Sequence, residues 1–239
     1  MTINATFLPS IEEICGAVTD EITALGGSTS DLVRDQDHLF MRVVLPASAE
    51  IRVGDSVQAG VAVRALPDQI DVYPYTLRQV CTNGAIVTNA LPGQQIERVQ
   101  AVDVGTSSYD AEVVLSTLRD AVRQCASPKA FDIAVSHMQA MTNEAESRAL
   151  SVLVRLARMH ARDAMSHLPM IYGRFAASDD RSAFGLMNAV TSVARDTEDP
   201  AIRWSLETIG GSMPAYFAQR SRVTRPASAL ENTEVDVLV

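Results

Sequence analysis

The stretch Tyr73-Pro74-Tyr75-Thr76-Leu77-Arg78-Gln79-Val80-Cys81-Thr82-Asn83-Gly84-Ala85-Ile86-Val87-Thr88 carries the densest structural signal in the chain. Tyr75 to Val80 is aromatic, β-branched and apolar enough for a strand, and Ala85 to Thr88 reads as its return. Asn83-Gly84 between them predicts the hairpin turn, because both residues tolerate the positive φ that a tight turn between twisted strands requires. Pro74 cannot donate to a ladder, so the strand is expected to start just after it or to lie at a sheet edge. Side chains alternate along a strand, which puts Arg78 and Cys81 on opposite faces with one of them buried.

Two of these residues carry chemistry. A reactive Cys81 assisted by Asn83 would need a cationic neighbour, a helix N-terminus or a base to lower the thiol pKa, and no histidine lies near it in sequence. The expectation is therefore a buried thiol beside a turn, behaving as a small hydrophobe. A guanidinium in an apolar strand must meet a carboxylate, backbone carbonyls, solvent or an anionic ligand, since burying it unpaired is costly. For Arg78 a structural partner is the first expectation and a ligand the second.

Working outward, Ser10-Ile-Glu-Glu13 is a capping box, and Ile11, Ile14, Cys15, Val18, Ile22 and Leu25 follow helical spacing up to Gly26-Gly27. His38 to Leu45 reads as a strand ended by Pro46, and Ile51–Val53, Val57–Ala65 and Ile70–Tyr75 as further short strands punctuated by glycine and by Pro67-Asp68. Leu91 to Asp103 reads as loop with a short strand at Glu97 to Val102. The pattern predicts an α+β fold: a small antiparallel sheet with an N-terminal helix, followed by a mostly helical C-terminal half. One globular domain is expected over residues 1–221, strand-rich from about 36 to 104 and helical from about 107 to 221. Residues 222–239, ending in Glu231-Asn-Thr-Glu-Val-Asp-Val-Leu-Val239, have the composition of a flexible acidic tail.

In the helical half, Ser107 or Ser108 can cap a helix carrying Val114, Leu115, Leu118, Ala121, Val122 and Cys125. Ser127-Pro128 opens another, with Phe131, Ala134, Met138 and Met141 inward. A long helix is expected from Glu144 to Leu168, with Leu150, Val154, Ala157, Ala161, Ala164 and Leu168 as its apolar stripe. Arg148, Arg155, Arg158 and Arg162 gather on the opposite side, either as a solvated row paired with Glu144, Glu146 or Asp163 or as a track for a phosphate backbone. His160 and His167 have no adjoining ligand set, so no metal and no cofactor is expected. Asn188 and Thr191 sit three apart on a helix from about Ser182 to Arg195, semi-buried and hydrogen-bonded. Asp199-Pro200 starts a helix with Ile202, Trp204, Leu206 and Ile209, expected to end at Gly210-Gly211.

Several strings carry a resemblance: Val53-Gly-Asp-Ser-Val-Gln-Ala-Gly60, Arg78-Gln-Val-Cys-Thr-Asn-Gly84, Asn188-Ala-Val-Thr191, and Ala194-Arg-Asp-Thr-Glu-Asp-Pro-Ala-Ile-Arg-Trp-Ser-Leu-Glu-Thr-Ile-Gly-Gly211. Together they resemble the phage- and plasmid-associated domain-of-unknown-function family numbered 932. Where this chain has Arg64-Ala65-Leu66, many relatives carry an Asn-Ser-Glu triplet. The resemblance implies a mobile-element setting, carries no established activity, and marks Arg78, Asn83, Asn188 and Thr191 as residues expected to converge in space.

Composition bounds the function. The 239 residues can bury roughly 70% of the unfolded surface in one domain. Cys15, Cys81 and Cys125 lack the spacing of a disulfide framework or zinc site. With no basic region leading into an apolar core and no long apolar run, a soluble cytoplasmic protein is expected. A formal net charge of -9 argues against a broad nonspecific nucleic-acid surface and leaves room for a local one. Lys129 is the single lysine, so nearly all positive charge is guanidinium. The leading expectation is a non-catalytic nucleic-acid-associated protein, single-strand binding or an annealing accessory, whose element order is similar to that of phage single-strand annealing recombinases. Under it Tyr73 or Tyr75 stacks on bases and the chain self-associates. The alternative is a scaffold with an acidic surface and a partner-docking C-terminal tail. An enzyme is the least favoured class, because no nucleophile, base and oxyanion donors assemble from the spacing.

Overall fold

The computed structural model of the chain describes residues 2–5, 8–88, 94–98 and 111–224. The fold is α+β. An N-terminal helix and a sheet fill the first part, and helices fill the rest. The N-terminal helix α1 (Ile11–Ala24) starts at the capping box. Ser10 Oγ accepts from the Glu13 amide, and the Glu13 carboxylate accepts from the Ser10 amide at 2.8 Å. Gly26, at φ +73°, follows its last turn, a backbone region that favours glycine.

The strands are β1 (Thr2–Ala5), β2 (Ser28–Arg34), β3 (Leu39–Arg52), β4 (Asp55–Leu66), β5 (Gln69–Arg78), β6 (Asn83–Ile86) and β7 (Gln94–Arg98). They order as β1-β7-β5-β4-β3-β2, with β6 pairing the remaining length of β5. The pairing is antiparallel except between β1 and β7. Two-residue turns join the central hairpins: Val53-Gly54, with Gly54 at φ +76°, and Pro67-Asp68.

Four strand expectations are corrected. The β5–β6 hairpin turns at Gln79-Val80-Cys81-Thr82, four residues ahead of the predicted position, and Asn83 and Gly84 lie inside β6 opposite Arg78 and Leu77. Pro74 lies within β5 rather than before it. Its carbonyl accepts from Val87 at 2.8 Å, so its missing N–H points the same way and the β4 ladder loses no donor there. β3 runs through Pro46, which falls where the β3–β4 register is interrupted between Val44 and Ser48. β2 went unpredicted because it is a polar edge strand, exposed almost throughout, with no apolar alternation to read.

Alternation divides the sheet's two faces. Leu39, Met41, Val43, Val61, Val63, Ile70 and Val72 join the main core with α1, α2 (Ala111–Cys125) and α3 (Pro128–Met141). All the inward residues expected for α2 and α3 are buried. Phe40, Ala62 and Tyr75 face the other way and pack with Ile86 and Trp204 in a second, smaller cluster. Arg42 shares that face and is fully buried.

The predicted helix from Glu144 to Leu168 is three elements: α4 (Ala149–His160), a 3-10 turn (Arg162–His167) and α5 (Leu168–Ala177). Residues 144–146 spend their backbone hydrogen bonds elsewhere: Glu146 N–H donates to the Arg181 carbonyl and the Glu144 carbonyl accepts from Ala183. The buried positions of α4 are Ala149, Val152, Leu153, Leu156 and Ala157; of the predicted stripe Ala157, Ala161, Ala164 and Leu168 are buried, whereas Val154 is half-buried and Leu150 is half exposed. Pro169 opens α5 in its first turn rather than ending a helix.

After α6 (Ala183–Arg195), α7 (Pro200–Thr224) begins at Asp199, whose carboxylate accepts from the amides of Ala201 and Ile202. Gly210-Gly211 does not stop it. A Cβ on Gly211 would sit 1.9 Å from the Ile86 carbonyl oxygen, so the glycine is where the helix backbone meets β6. Leu206, Ile209, Met213 and Phe217 bury the other side of α7 in the main core. The expected caps at Ser107 and Ser108, residues 99–103 of the predicted loop and strand, and the acidic stretch from 225 lie outside the described residues. Among those described, no helix is long and apolar enough to cross a membrane.

Arg42 ties β3 to α7. Its Nε donates to Glu207 at 2.7 Å and its Nη1 to Asp31 of β2 at 2.9 Å, while Arg203 pairs with both carboxylates at 3.2 Å. Burial drives the Glu207 carboxyl above its ordinary value against the pull of Arg42 and Arg203. On Arg42 burial pulls down, yet Glu207, Tyr75 and Asp31 together outweigh it and hold the guanidinium above its ordinary value. We predict that Glu207→Gln, which strands a buried charge, costs about 3–5 kcal/mol, whereas Arg42→Met with Glu207→Leu stays within about 2 kcal/mol of wild type in urea denaturation. A single variant no less stable than the double would overturn this. Gly211→Ala should cost about 1–3 kcal/mol by overpacking, although alanine is the better helix former by about 1 kcal/mol. A stabilised variant in the same assay would contradict the close approach.

Candidate functional site

The tip of the β5–β6 hairpin, the end of β3, α5 and one side of α6 enclose a pocket of about 290 Å³. Arg78 and Asn83 face it as directly opposed partners across the hairpin. From α6 come Asn188, Ser192 and Arg195, spaced so that they share a side of the helix, and α5 adds Arg174. Arg52 and Asp180 complete the charged wall.

Each guanidinium is held by a carboxylate. Arg78 grips Asp55 with two bonds of 2.6 Å, from Nε and Nη2, and Asp55 is 4% exposed. That bidentate contact is the main reason the Arg78 guanidinium sits above its ordinary pKa. Arg52 bridges Asp55 at 3.3 Å and Asp180 at 2.8 Å. The guanidinium carbons of Arg52 and Arg78 lie 5.5 and 5.8 Å from the Phe184 ring centre, which adds cation–π attraction. Arg174 and Arg195 both pair with Asp196, at 2.8 and 2.9 Å. Hydrogen bonds from Arg195 and then Arg174 hold the Asp196 carboxyl below its ordinary value. Burial raises Asp180, but Ser182 and Arg52 outweigh it and hold that carboxyl low as well. Four guanidiniums against three carboxylates leave one formal positive charge at the pocket.

The turn delivers two further groups. Thr82 takes φ +53°, a region a β-branched residue rarely adopts, between two residues that line the pocket. Cys81 is partly exposed rather than buried, because it lies in the turn and not in a strand. Its thiol accepts from Arg78 Nη1 at 3.1 Å, and its carbonyl accepts from Arg195 Nη1 at 2.9 Å. Cys81 and Arg78 therefore meet instead of occupying opposite faces. Asn83 is 4% exposed, and its Oδ1 has no hydrogen-bond partner among the described residues. Such an unmet acceptor costs about 1–3 kcal/mol. No histidine lines the pocket, so Cys81 has no imidazole base there.

Of the residues expected to converge, Arg78, Asn83 and Asn188 do so, and Thr191 does not. The Thr191 hydroxyl donates within its own helix to the Met187 and Asn188 carbonyls, and its methyl faces Gly210 of α7. Tyr73 and Tyr75 are not available to stack on bases. Tyr75 is 2% exposed, with burial pushing its hydroxyl far above the ordinary value, and Tyr73 is half-buried, edge-on to Trp204 at 6.4 Å. Arg148, Arg155, Arg158 and Arg162 line a different surface and are all exposed. Arg52, Arg174, Asp180 and Arg195 were missed. Only Arg195 lay inside a string that had drawn attention, and nothing local in sequence brings the four together.

We predict that Asp55→Asn, which leaves Arg78 with one neutral partner, costs about 2–4 kcal/mol in urea denaturation, the range for unpairing a buried charge discounted for the partial exposure of Arg78. A loss under about 0.5 kcal/mol would show that Asp55 does not hold the hairpin in place. Compared with protein-family models, curated proteins and solved structures, the chain shows no match, and its function is read from this geometry.

Proposed function

We propose that this chain is a non-catalytic nucleic-acid-associated protein that holds a phosphodiester backbone along α4 and the 3-10 turn that follows it. The resemblance in the sequence suggests phage- or plasmid-type DNA metabolism as its setting. One observation carries the reading. Arg148, Arg155, Arg158 and Arg162 are exposed and make no ion pair among the described residues, whereas ten other arginines do.

The acids expected to neutralise the row are engaged elsewhere. Glu144 and Glu146 pair with Arg220 of α7, and Asp163 accepts from Ser205. At 100° per residue, Arg148, Arg155 and Arg158 fall within an arc of about 80°. Arg162, beyond the end of α4, reaches back to the Arg158 carbonyl at 3.5 Å. Arg155 lies over the Tyr216 ring, 5.6 Å from its centre, which orients one guanidinium without cancelling its charge. A row of unpaired cations makes a locally positive surface on a protein of net charge -9, and a polyanion is its natural complement. With Tyr75 buried and Tyr73 half-buried against Trp204, backbone contact rather than base stacking supplies the affinity.

The test is fluorescence anisotropy with a labelled single strand, duplex DNA and RNA over a range of salt. Four phosphate contacts on a single strand predict a slope of about -3 in log K against log salt, and Arg155→Glu with Arg162→Glu should abolish binding at moderate ionic strength. Absence of binding at low salt, or binding indifferent to the double variant, would sink the proposal.

A further inference from the structure

We propose that the pocket between the β5–β6 hairpin and α6 binds a phosphate-bearing small molecule, a site separate from the α4 arginine row and independent of its function. The cavity, about 290 Å³, lies at the lower end of the roughly 300–1,000 Å³ typical of ligand pockets, so it suits a compact ligand. Arg52, Arg174 and Arg195 reach it from three different elements, and their side chains remain 35–43% exposed. Each uses Nε or Nη1 within the protein and leaves Nη2 without a hydrogen bond among the described residues. Donors arriving from three directions surround a tetrahedral anion better than a planar carboxylate, which a single guanidinium fork already satisfies. The surplus positive charge fixes the sign of the ligand.

A second feature points the same way. Asn83 is buried, lines the cavity and has an unmet acceptor, while the thiol and guanidinium beside it are already bonded to each other. A ligand N–H or O–H next to the phosphate meets that acceptor after a small rotation of the amide. Thr82, at positive φ, immediately precedes Asn83 in the turn. The same phosphate chemistry comes from free phosphate or from a mononucleotide, and the difference is whether the group beside the phosphate is read.

Isothermal titration calorimetry on the full chain at low salt decides this, with inorganic phosphate, a nucleoside 5′-monophosphate, the matching nucleoside, and acetate. Phosphate and nucleotide should each bind at one site with a Kd of about 1 mM or tighter, and nucleoside and acetate should not bind. Tighter nucleotide than phosphate assigns the neighbouring group to Asn83, and equal affinities assign the site to the phosphoryl group alone. Arg174→Gln and Arg195→Gln, whose side chains are part exposed, should each weaken binding by about tenfold while leaving the urea midpoint in place. Asn83→Asp should weaken it further by repelling the anion. Arg155→Glu with Arg162→Glu should leave phosphate binding unchanged, so loss of strand binding in that variant and loss of phosphate binding in the pocket variants are separate results. No saturable binding of either phosphate compound, acetate binding as well as phosphate, or pocket variants that bind like wild type would overturn the proposal.

Discussion

A guanidinium that never meets water governs how the two halves of this protein fit together. Arg42 projects from the middle of β3 onto the face opposite the main core, and only a carboxylate brought by another element can make that position tolerable. That carboxylate is Glu207, 165 residues later in the chain. Once Glu207 is placed, the rest of that side of α7 follows. Trp204, three residues before, comes under the Arg64 guanidinium and edge-on to Phe40, and Gly211, four residues after, comes against the Ile86 carbonyl. A shift of one turn along α7 would break the ion pair and drive a side chain into β6. The buried pair thus works as a register pin more than as a source of stability, since a well-packed apolar pair would serve stability about as well.

The same docking builds the pocket. β6 is four residues long and among the described residues pairs only with β5, so its position depends on what covers it, and α6 and α7 both do. Gly84 leaves room for the Tyr75 ring against the strand. A Cβ there would fall 1.8 Å from the Tyr75 hydroxyl oxygen. With β6 held from both sides, Asn83 and Cys81 take fixed places opposite α6, and Asp55 fixes Arg78 from the neighbouring strand. The site is therefore assembled from long-range contacts on rigid elements, which is how a binding geometry is kept from drifting.

This explains how much could be read in advance. Local rules found what local physics decides: the Ser10 cap, the Ser127-Pro128 start, the inward sides of α2 and α3, and the strand character of Tyr75–Leu77. Asn83-Gly84 was misread because the dipeptide that favours a tight turn can be present for other reasons. Here Asn83 faces a cavity and Gly84 clears a tyrosine ring, both tertiary demands. Gly210-Gly211 misled in the same way, since helix termination and close helix–sheet approach call for the same residue. The long-helix expectation failed because residues 144–146 found hydrogen bonds to residues 181–183, a partner that periodicity cannot see. Arg78, Asn83 and Asn188 were visible as a set only through their strings. Arg52, Arg174 and Arg195 were invisible, because an arginine's destination is set by which carboxylate the fold brings near it.

The two cationic surfaces differ in a way that bears on what each can bind. In the pocket every guanidinium is already oriented by Asp55, Asp180 or Asp196, so most of the side-chain entropy of fixing it has been lost on folding. An entering anion meets aligned donors with one net charge in excess, an arrangement that favours a single small ion and discriminates by geometry. Along α4 and the turn after it the guanidiniums are not neutralised, and only Arg155 over Tyr216 and Arg162 on the Arg158 carbonyl are held by a contact among the described residues. They attract from a distance, respond steeply to salt, and impose little shape. A polyanion, whose repeating charge needs no exact fit, suits the second arrangement and is poorly served by the first, where the carboxylates would repel each further phosphate. Pairing arginines with acids in one place and leaving them unpaired in another gives this acidic chain a selective site and a permissive one from a single residue type.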